Sequence, residues 1–404
     1  MLAALLAVLL GAGVIFQGAF AEHVLRRGLS GGLAMAVVLA FPLATLVLGA
    51  ELGLCALGAR TPTRVNVRLL TAVICLLVVG SELFLRHGLG RYWSWRERNG
   101  GKYSSAFGGG HPGWLLLREP QRLVVVGKSE FQLTWRTNSL GLRDGEIPQE
   151  KPPGELRVLA LGDSFTEGLG AGTQETWPKQ LEERLRERYP DRPLRVMNAG
   201  RSGSDAWYAT MLLEERLLAY HPDLVVLAIN ESDGFDMIAR GGRERFRSDG
   251  TVAFRPGPGW EWLYASSFIV RHIVHDLADY DRRLLGPRDR EQRTREGLEQ
   301  IRAAVHAMHG LAEAHGFRLL VVFHPVPTEI IRETLTLGPL VESLKEEGAV
   351  PVASLLDFFL GPAGVDADNV WSYFWRTDTH HNPAGYALLA EGIERALVET
   401  GQLE

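Results

Sequence analysis

RVLALGDSFTEG, residues 157–168, is the stretch on which the reading of the fold turns. Residues 157–161 are apolar after the first and stop at a glycine. A strand with one wet face would alternate, so this run reads as a strand buried on both faces. Outward from it, Trp177, Leu181, Leu185 and Tyr189 recur every four residues, one face of a helix with Pro178 in its first turn. LRVMN (194–198) is the next strand, residues 206–220 a helix, and LVVLAI (224–229) a third strand. Leu298, Ile301, Val305, Met308 and Ala312 mark a helix leading into RLLVVF (318–323). A helix across 329–347 leads to a fifth strand at 351–355, and the last helix, from about Pro383, carries Leu389, Ile393 and Leu397 on one face. Apolar strands separated by helices imply an α/β fold with a parallel sheet covered on both faces. Five in this order predict a doubly wound, flavodoxin-like sheet, whose chemistry belongs beyond the carboxyl ends of the strands.

The first 90 residues are of another kind. Apolar runs cover residues 2–21, then 32–50 continuing past Glu51 to about Leu57, then the stretch between Arg68 and Arg86. About 20 apolar residues cross a bilayer core, so two to three transmembrane helices are expected at 1–90. The third run is shorter and contains Glu82, but Tyr92, Trp93 and Trp95 follow it like an interfacial belt. Ala19-Phe20-Ala21 resembles a signal-peptide cleavage site, yet no Lys or Arg precedes the run, which favours a retained helix. The chain is thus expected to be an integral, multi-pass membrane protein, with the side occupied by its large domain left open. Residues 91–150 read as a connector and 151–404 as the catalytic domain, interrupted by an insertion at 234–290 that includes RPGPGWEW (255–262). A loop of that length is expected to be a lid, a binding element or a disordered stretch.

Composition excludes several functions. A net charge of -5 without a basic block argues against nucleic acid as a partner. The only cysteines, Cys55 and Cys75, lie in the apolar N-terminal runs, so neither a disulfide framework nor a cysteine zinc site is expected. His272 with His275, and His306 with His309, have an i, i+3 spacing without a nearby acid, and read as solvated helix histidines. No phosphate-binding or dinucleotide fingerprint occurs, so no metal and no cofactor is expected.

The chemistry sits at the sheet's carboxyl edge. Ser164 follows the first strand and Gly162 permits the sharp turn, but a serine is a nucleophile only with a base in reach. Near the other end of the chain, WRTDTHHNPAG (375–385) places Asp378, His380 and His381 in a loop before the last helix. A neutral imidazole can take the serine proton and a carboxylate can orient it. Either half alone is as readily a helix cap or an exposed loop. His324, in FHPVP (323–327) at the end of the fourth strand, is a possible substrate contact or a structural histidine held by the prolines.

Taken together the two halves resemble the SGNH/GDSL hydrolase family over about 156–397. GDSFTEG is similar to that family's first block, which makes Ser164 the nucleophile. NAGRSG (198–203) is similar to the second, whose glycine amide, here Gly203, donates to the oxyanion. His-x-Asn-x-x-Gly matches His380, Asn382 and Gly385, which makes His380 the base and Asp378 its acid; the commoner Asp-x-x-His spacing would pair Asp378 with His381 instead. The third block departs. Where the family has Gly-x-Asn-Asp, this chain has Asn230-Glu-Ser-Asp233, so Ser232 stands at the asparagine position and Asn230 at the glycine position. Loss of one oxyanion donor costs about 10²–10³ in rate; Ser232 or Asn230 is the expected substitute. The resemblance implies a membrane-anchored serine esterase acting through an acyl-enzyme on an ester-bearing lipid or glycan. The alternatives are an O-acyltransferase using the same intermediate, and a non-catalytic membrane subunit that keeps the fold to bind a glycan or a protein partner.

Overall fold

The computed structural model describes residues 123–240 except 129, then 242–246 and 287–403, together with the pairs 111–112 and 251–252 and a few isolated positions. The chain divides into two compact units, Met1–Asn99 with Gly257–Leu285, and Gly100–Pro256 with Gly286–Glu404. In the first unit, Val73, Leu77, Gly80 and Ser81 are helical. The N-terminal apolar runs otherwise lie outside the described residues, as does most of the insertion. Among the described residues no helix is long and apolar enough to cross a membrane.

The second unit holds a five-stranded parallel sheet. Its strands are β1 (Leu156–Leu161), β2 (Leu194–Asn198), β3 (Leu224–Ile229), β4 (Arg318–Phe323) and β5 (Val352–Ser354). They lie side by side in the order β2-β1-β3-β4-β5. The chain therefore reverses its winding at β1, and the crevice opens there, beyond the carboxyl ends of β1 and β3. Register follows the apolar runs: Val158 pairs with Val196 and Leu224, and Leu227 with Val321. Every residue of β1 and β3 is buried, as the unbroken apolar patterns require.

The helices are α1 (Ser164–Glu167), α2 (Trp177–Arg188), α3 (Ala206–Leu212), α4 (Glu231–Arg240), α5 (Pro287–His315), α6 (Pro327–Arg332), α7 (Gly338–Glu347), α8 (Leu356–Leu360) and α9 (Pro383–Glu399). The sequence stripes face the core. Trp177, Leu181 and Leu185 on α2, Ile301, Val305 and Met308 on α5, and Leu389, Ile393 and Leu397 on α9 are completely buried. Each such side chain contributes about 1.5–3 kcal/mol. Arg184 and Arg188 of α2 both reach the Glu394 carboxylate of α9, at 2.7 and 2.9 Å.

Two expected helices are broken. The one at 206–220 keeps α-geometry only to Leu212, widens into a π-turn at Leu213–Leu217 and tightens at Leu218–Tyr220. The one at 329–347 is two helices. Glu333 turns left-handed (φ 53°) and ends α6, while the Glu329 carboxylate accepts the Val326 and Thr336 N–H groups and gives the break its own caps. Pro339, with no N–H to give, opens α7.

Residues 123–150, read as a connector, pack onto the sheet domain. Leu123–Gly127 and Gln132–Arg136 form an antiparallel hairpin. Beyond it Leu142, Arg143, Asp144 and Ile147 are buried. Asp144 pairs with Lys179 of α2 at 2.6 Å and accepts the Asn198 N–H of β2 at 2.8 Å.

Candidate active site

The turn after β1 builds the first half of the site. Gly162 has φ 151°, and a Cβ there would strike the Thr166 hydroxyl and come within 2.8 Å of the Ala228 carbonyl of β3. Only glycine lets the chain leave the sheet this tightly. Asp163 then caps α1: one carboxylate oxygen accepts the Phe165 N–H at 2.9 Å, the other the Asn230 side-chain N–H at 2.9 Å. Ser164 follows as the first residue of α1, half-buried at the crevice. Arg143 locks the far end of α1 from beneath. Its guanidinium donates to the carbonyls of Glu167, Gly168 and Ala171 at 3.1, 2.7 and 2.6 Å and stacks over Trp135.

The loop after β2 lies against this turn. The Arg201 N–H and the Ser204 hydroxyl both donate to the Gly162 carbonyl, at 3.0 and 3.1 Å. The buried Glu167 carboxylate accepts from the Ser202 N–H and hydroxyl. Gly203 sits exposed between these anchors (φ 74°), next to the nucleophile turn. The Ser164 and Gly203 N–H groups have no acceptor among the described residues.

The second half comes from the loop before α9. Phe374 and His381 form a bridge, and Trp375 and Thr379 close the tip above it. Thr379 is left-handed (φ 66°), which folds Asp378 back onto His380 two positions on. The Asp378 Oδ1–His380 Nδ1 distance is 2.6 Å, and His380 Nε2 lies 2.7 Å from Ser164 Oγ. With the ring proton on Nδ1, the imidazole donates to Asp378 and accepts from the serine hydroxyl. Phe165, next to the serine, stacks on the imidazole at 4.5 Å and 27° and fixes its plane. Burial alone would raise the Asp378 carboxyl; the His380 hydrogen bond and charge, with Lys128 behind them, outweigh it and hold the group below the ordinary carboxylate range.

The neighbouring histidine is placed otherwise. His381 is fully buried, packed on Phe374 at 4.1 Å and beside Tyr386 and Phe359, and burial holds its imidazole well below the ordinary value. It is His380, not His381, that meets Ser164. The capping alternative resolves onto Asn382, whose Oδ1 accepts the Gly385 N–H at 3.1 Å and whose Nδ2 donates to the Ser372 carbonyl. A Cβ on Gly385 would strike the Tyr373 carbonyl, so the motif glycine is a packing requirement.

Asn230 and His324 are both buried. Asn230 is buried with its Nδ2 held by Asp163, and its Oδ1 accepts the Ser232 N–H at 3.0 Å. One of its two Nδ2 hydrogens braces the turn that carries Ser164. Ser232, at the position where the resemblance has an asparagine, is exposed in the first turn of α4. His324 is only 1% exposed, wedged against Phe165 at 4.9 Å, and presents no surface to a substrate. Burial pushes it down to about 4, with Asp163 opposing and His380 assisting.

Sequence reading missed Lys128 and Glu130. Both lie at the tip of the hairpin at 123–136 and touch the Asp378 loop. Their motif-free surroundings carry no signal. Phe165 and Arg143 were also missed.

Residues 160–388 match the GDSL-like lipase/acylhydrolase family, more than half of the chain. No curated protein matches it. Among solved structures, a two-domain esterase active on acetylated mannans is 14% identical; the match covers 61% of this chain and 50% of that one, with a TM-score of 0.37. This chain thus spans about half the length of that protein. The esterase EstA from Pseudoalteromonas sp. is 16% identical over 60% of this chain and 97% of its own (TM-score 0.37). A catalytic mutant of the acetylxylan esterase Axe2 from Geobacillus stearothermophilus is 14% identical over 60% and 93% (TM-score 0.37).

Proposed function

Because the chain belongs to the GDSL-like lipase/acylhydrolase family of ester-hydrolysing serine enzymes, we propose that Ser164, His380 and Asp378 form its catalytic relay. The observation that carries this is the unbroken line from Asp378 through His380 to Ser164 Oγ, at 2.6 and 2.7 Å. Ser164 Oγ attacks the ester carbonyl as His380 Nε2 takes its proton, and Asp378 stabilises the imidazolium. The carbonyl oxygen becomes an oxyanion held by the Ser164 and Gly203 N–H groups, with Ser232 or Asn230 as the side-chain donor. Collapse breaks the ester C–O bond, His380 returns the proton to the leaving alkoxide, and an acyl-Ser164 ester remains. Water then attacks with His380 again as base, which releases the acid and restores the serine.

A glycan- or lipid-borne ester is the proposed substrate class, and the three N-terminal apolar runs support an enzyme held at a membrane. A sugar hydroxyl in place of water would make the same acyl-enzyme a transferase. The insertion at 234–290, of a length usual for a lid or binding element, supports that second reading. Release of acid against acyl transfer to added sugar, measured on one acyl donor, separates the two.

The test is labelling of the full chain with a fluorophosphonate. Wild type should label, Ser164→Ala should not, and His380→Ala should lose at least about 10³-fold in ester turnover. Equal labelling of Ser164→Ala and wild type sinks the assignment.

A further inference from the structure

The relay does not end at Asp378. Its Oδ1 faces His380, and its Oδ2 faces the Lys128 ammonium at 3.0 Å. Lys128 comes from the tip of the hairpin at 123–136, 250 residues away in the chain and outside the family match at 160–388. The same tip grips the loop in other ways. Glu130 accepts the N–H groups of Arg376, Thr377 and Asp378 at 3.0, 2.7 and 3.3 Å, and Phe131 packs on Trp375 at 5.4 Å. Trp375 in turn donates to the Gly170 carbonyl beyond α1, at 2.9 Å. The Asp378 carboxylate is almost covered (8% exposed), whereas the Lys128 side chain is 44% exposed. So exposed an ion pair contributes little to stability. What it controls is which way the carboxylate faces and the charge beside it.

We propose that Lys128 is a positioning residue of the acyl-transfer reaction, clamping Asp378 Oδ2 so that Oδ1 stays on His380, and setting the pH at which the base becomes available. This rests on the reading of Ser164, His380 and Asp378 as the catalytic relay. The groups facing the Asp378–His380 pair are Asp163 on the nucleophile turn, His324 at the end of β4, His381 and Tyr386 at the start of α9, and Glu130 on the hairpin. Burial keeps His324, His381 and Tyr386 neutral. Asp163 and Glu130 are carboxylates that favour the imidazolium, and Lys128 opposes them. Removing its charge favours the protonated imidazole, so the base is lost at a higher pH.

The experiment compares the full chain with Lys128→Met, Lys128→Gln and Lys128→Arg, using 4-nitrophenyl acetate across pH 5–9. Expected for Met and Gln is an acid limb of kcat/KM moved up by about 0.5–1 pH, the order of the Coulomb effect of one nearby charge in a wet setting. The plateau kcat should fall by up to about tenfold as the carboxylate loosens. Lys128→Arg should keep the wild-type limb, and all three should melt within about 3 °C of wild type. A limb that stays in place or moves down in both neutral variants, with wild type active, overturns the proposal. A wild type that neither turns over the ester nor labels at Ser164 overturns the site reading, and this proposal with it.

Discussion

Thr379 holds the least comfortable backbone of the catalytic loop. It is a β-branched residue at φ 66°, exposed, with its hydroxyl turned onto the Asp378 carbonyl. A left-handed residue of this type costs about 1–2 kcal/mol, and asparagine tolerates the conformation far better. Thr379→Asn should therefore raise the unfolding free energy by about 0.5–1 kcal/mol in urea while the Ser164–His380 contact, and with it ester turnover, persists. This residue also shows where sequence reading stops. Asn382 and Gly385 place His380 by register, and both turn out to have local reasons, a helix cap and a close approach. The left-handed turn that makes an Asp-x-His spacing productive falls on a threonine, and nothing in its identity announces it.

Among elements, α1 is too short to hold itself together, with four residues and a nucleophile at its first. Its C-terminal carbonyls are satisfied by Arg143, which is 2% exposed and brought from a segment outside the repeating strand–helix pattern. Arg143→Leu takes the guanidinium from the Glu167, Gly168 and Ala171 carbonyls, of which Gly168 keeps the Ala171 N–H, at a cost on the order of 3 kcal/mol. Lysine, one point charge in place of a planar fork, should recover only part. Denaturant midpoints and esterase rates measured side by side would show both falling together. The strands were legible because a sheet buried on both faces writes itself as apolar runs. The Arg143 clamp was not, because it consists of polar bonds to backbone carbonyls, which carry no residue-type signature at the receiving end. The same holds for the break after α6, where Glu333 rather than a glycine takes the positive φ.

At the scale of the whole molecule, acid stability follows from two buried imidazoles. His324 titrates near 4 inside the fold against about 6.5 in an unfolded chain, and His381 is shifted in the same direction. The folded state thus resists a proton that the unfolded state accepts. Stability is full above about 6.5 and is lost as pH falls toward 4, by roughly 3 kcal/mol for His324 alone. A His324→Leu variant should show a shallower loss of melting temperature between pH 6.5 and 4.5 than wild type. An equally steep loss would place the acid sensitivity elsewhere.

Ser164 and His380 stand 216 positions apart. A ribosome adding about 5–20 residues per second makes Ser164 roughly 10–40 s before His380. With the proposed relay, a nascent chain turns over no ester until His380 has been made. In that proposal the onset of ester cleavage marks the docking of the His380 loop on the turn that carries Ser164, so turnover itself can time that step of folding, on the ribosome or after dilution from denaturant.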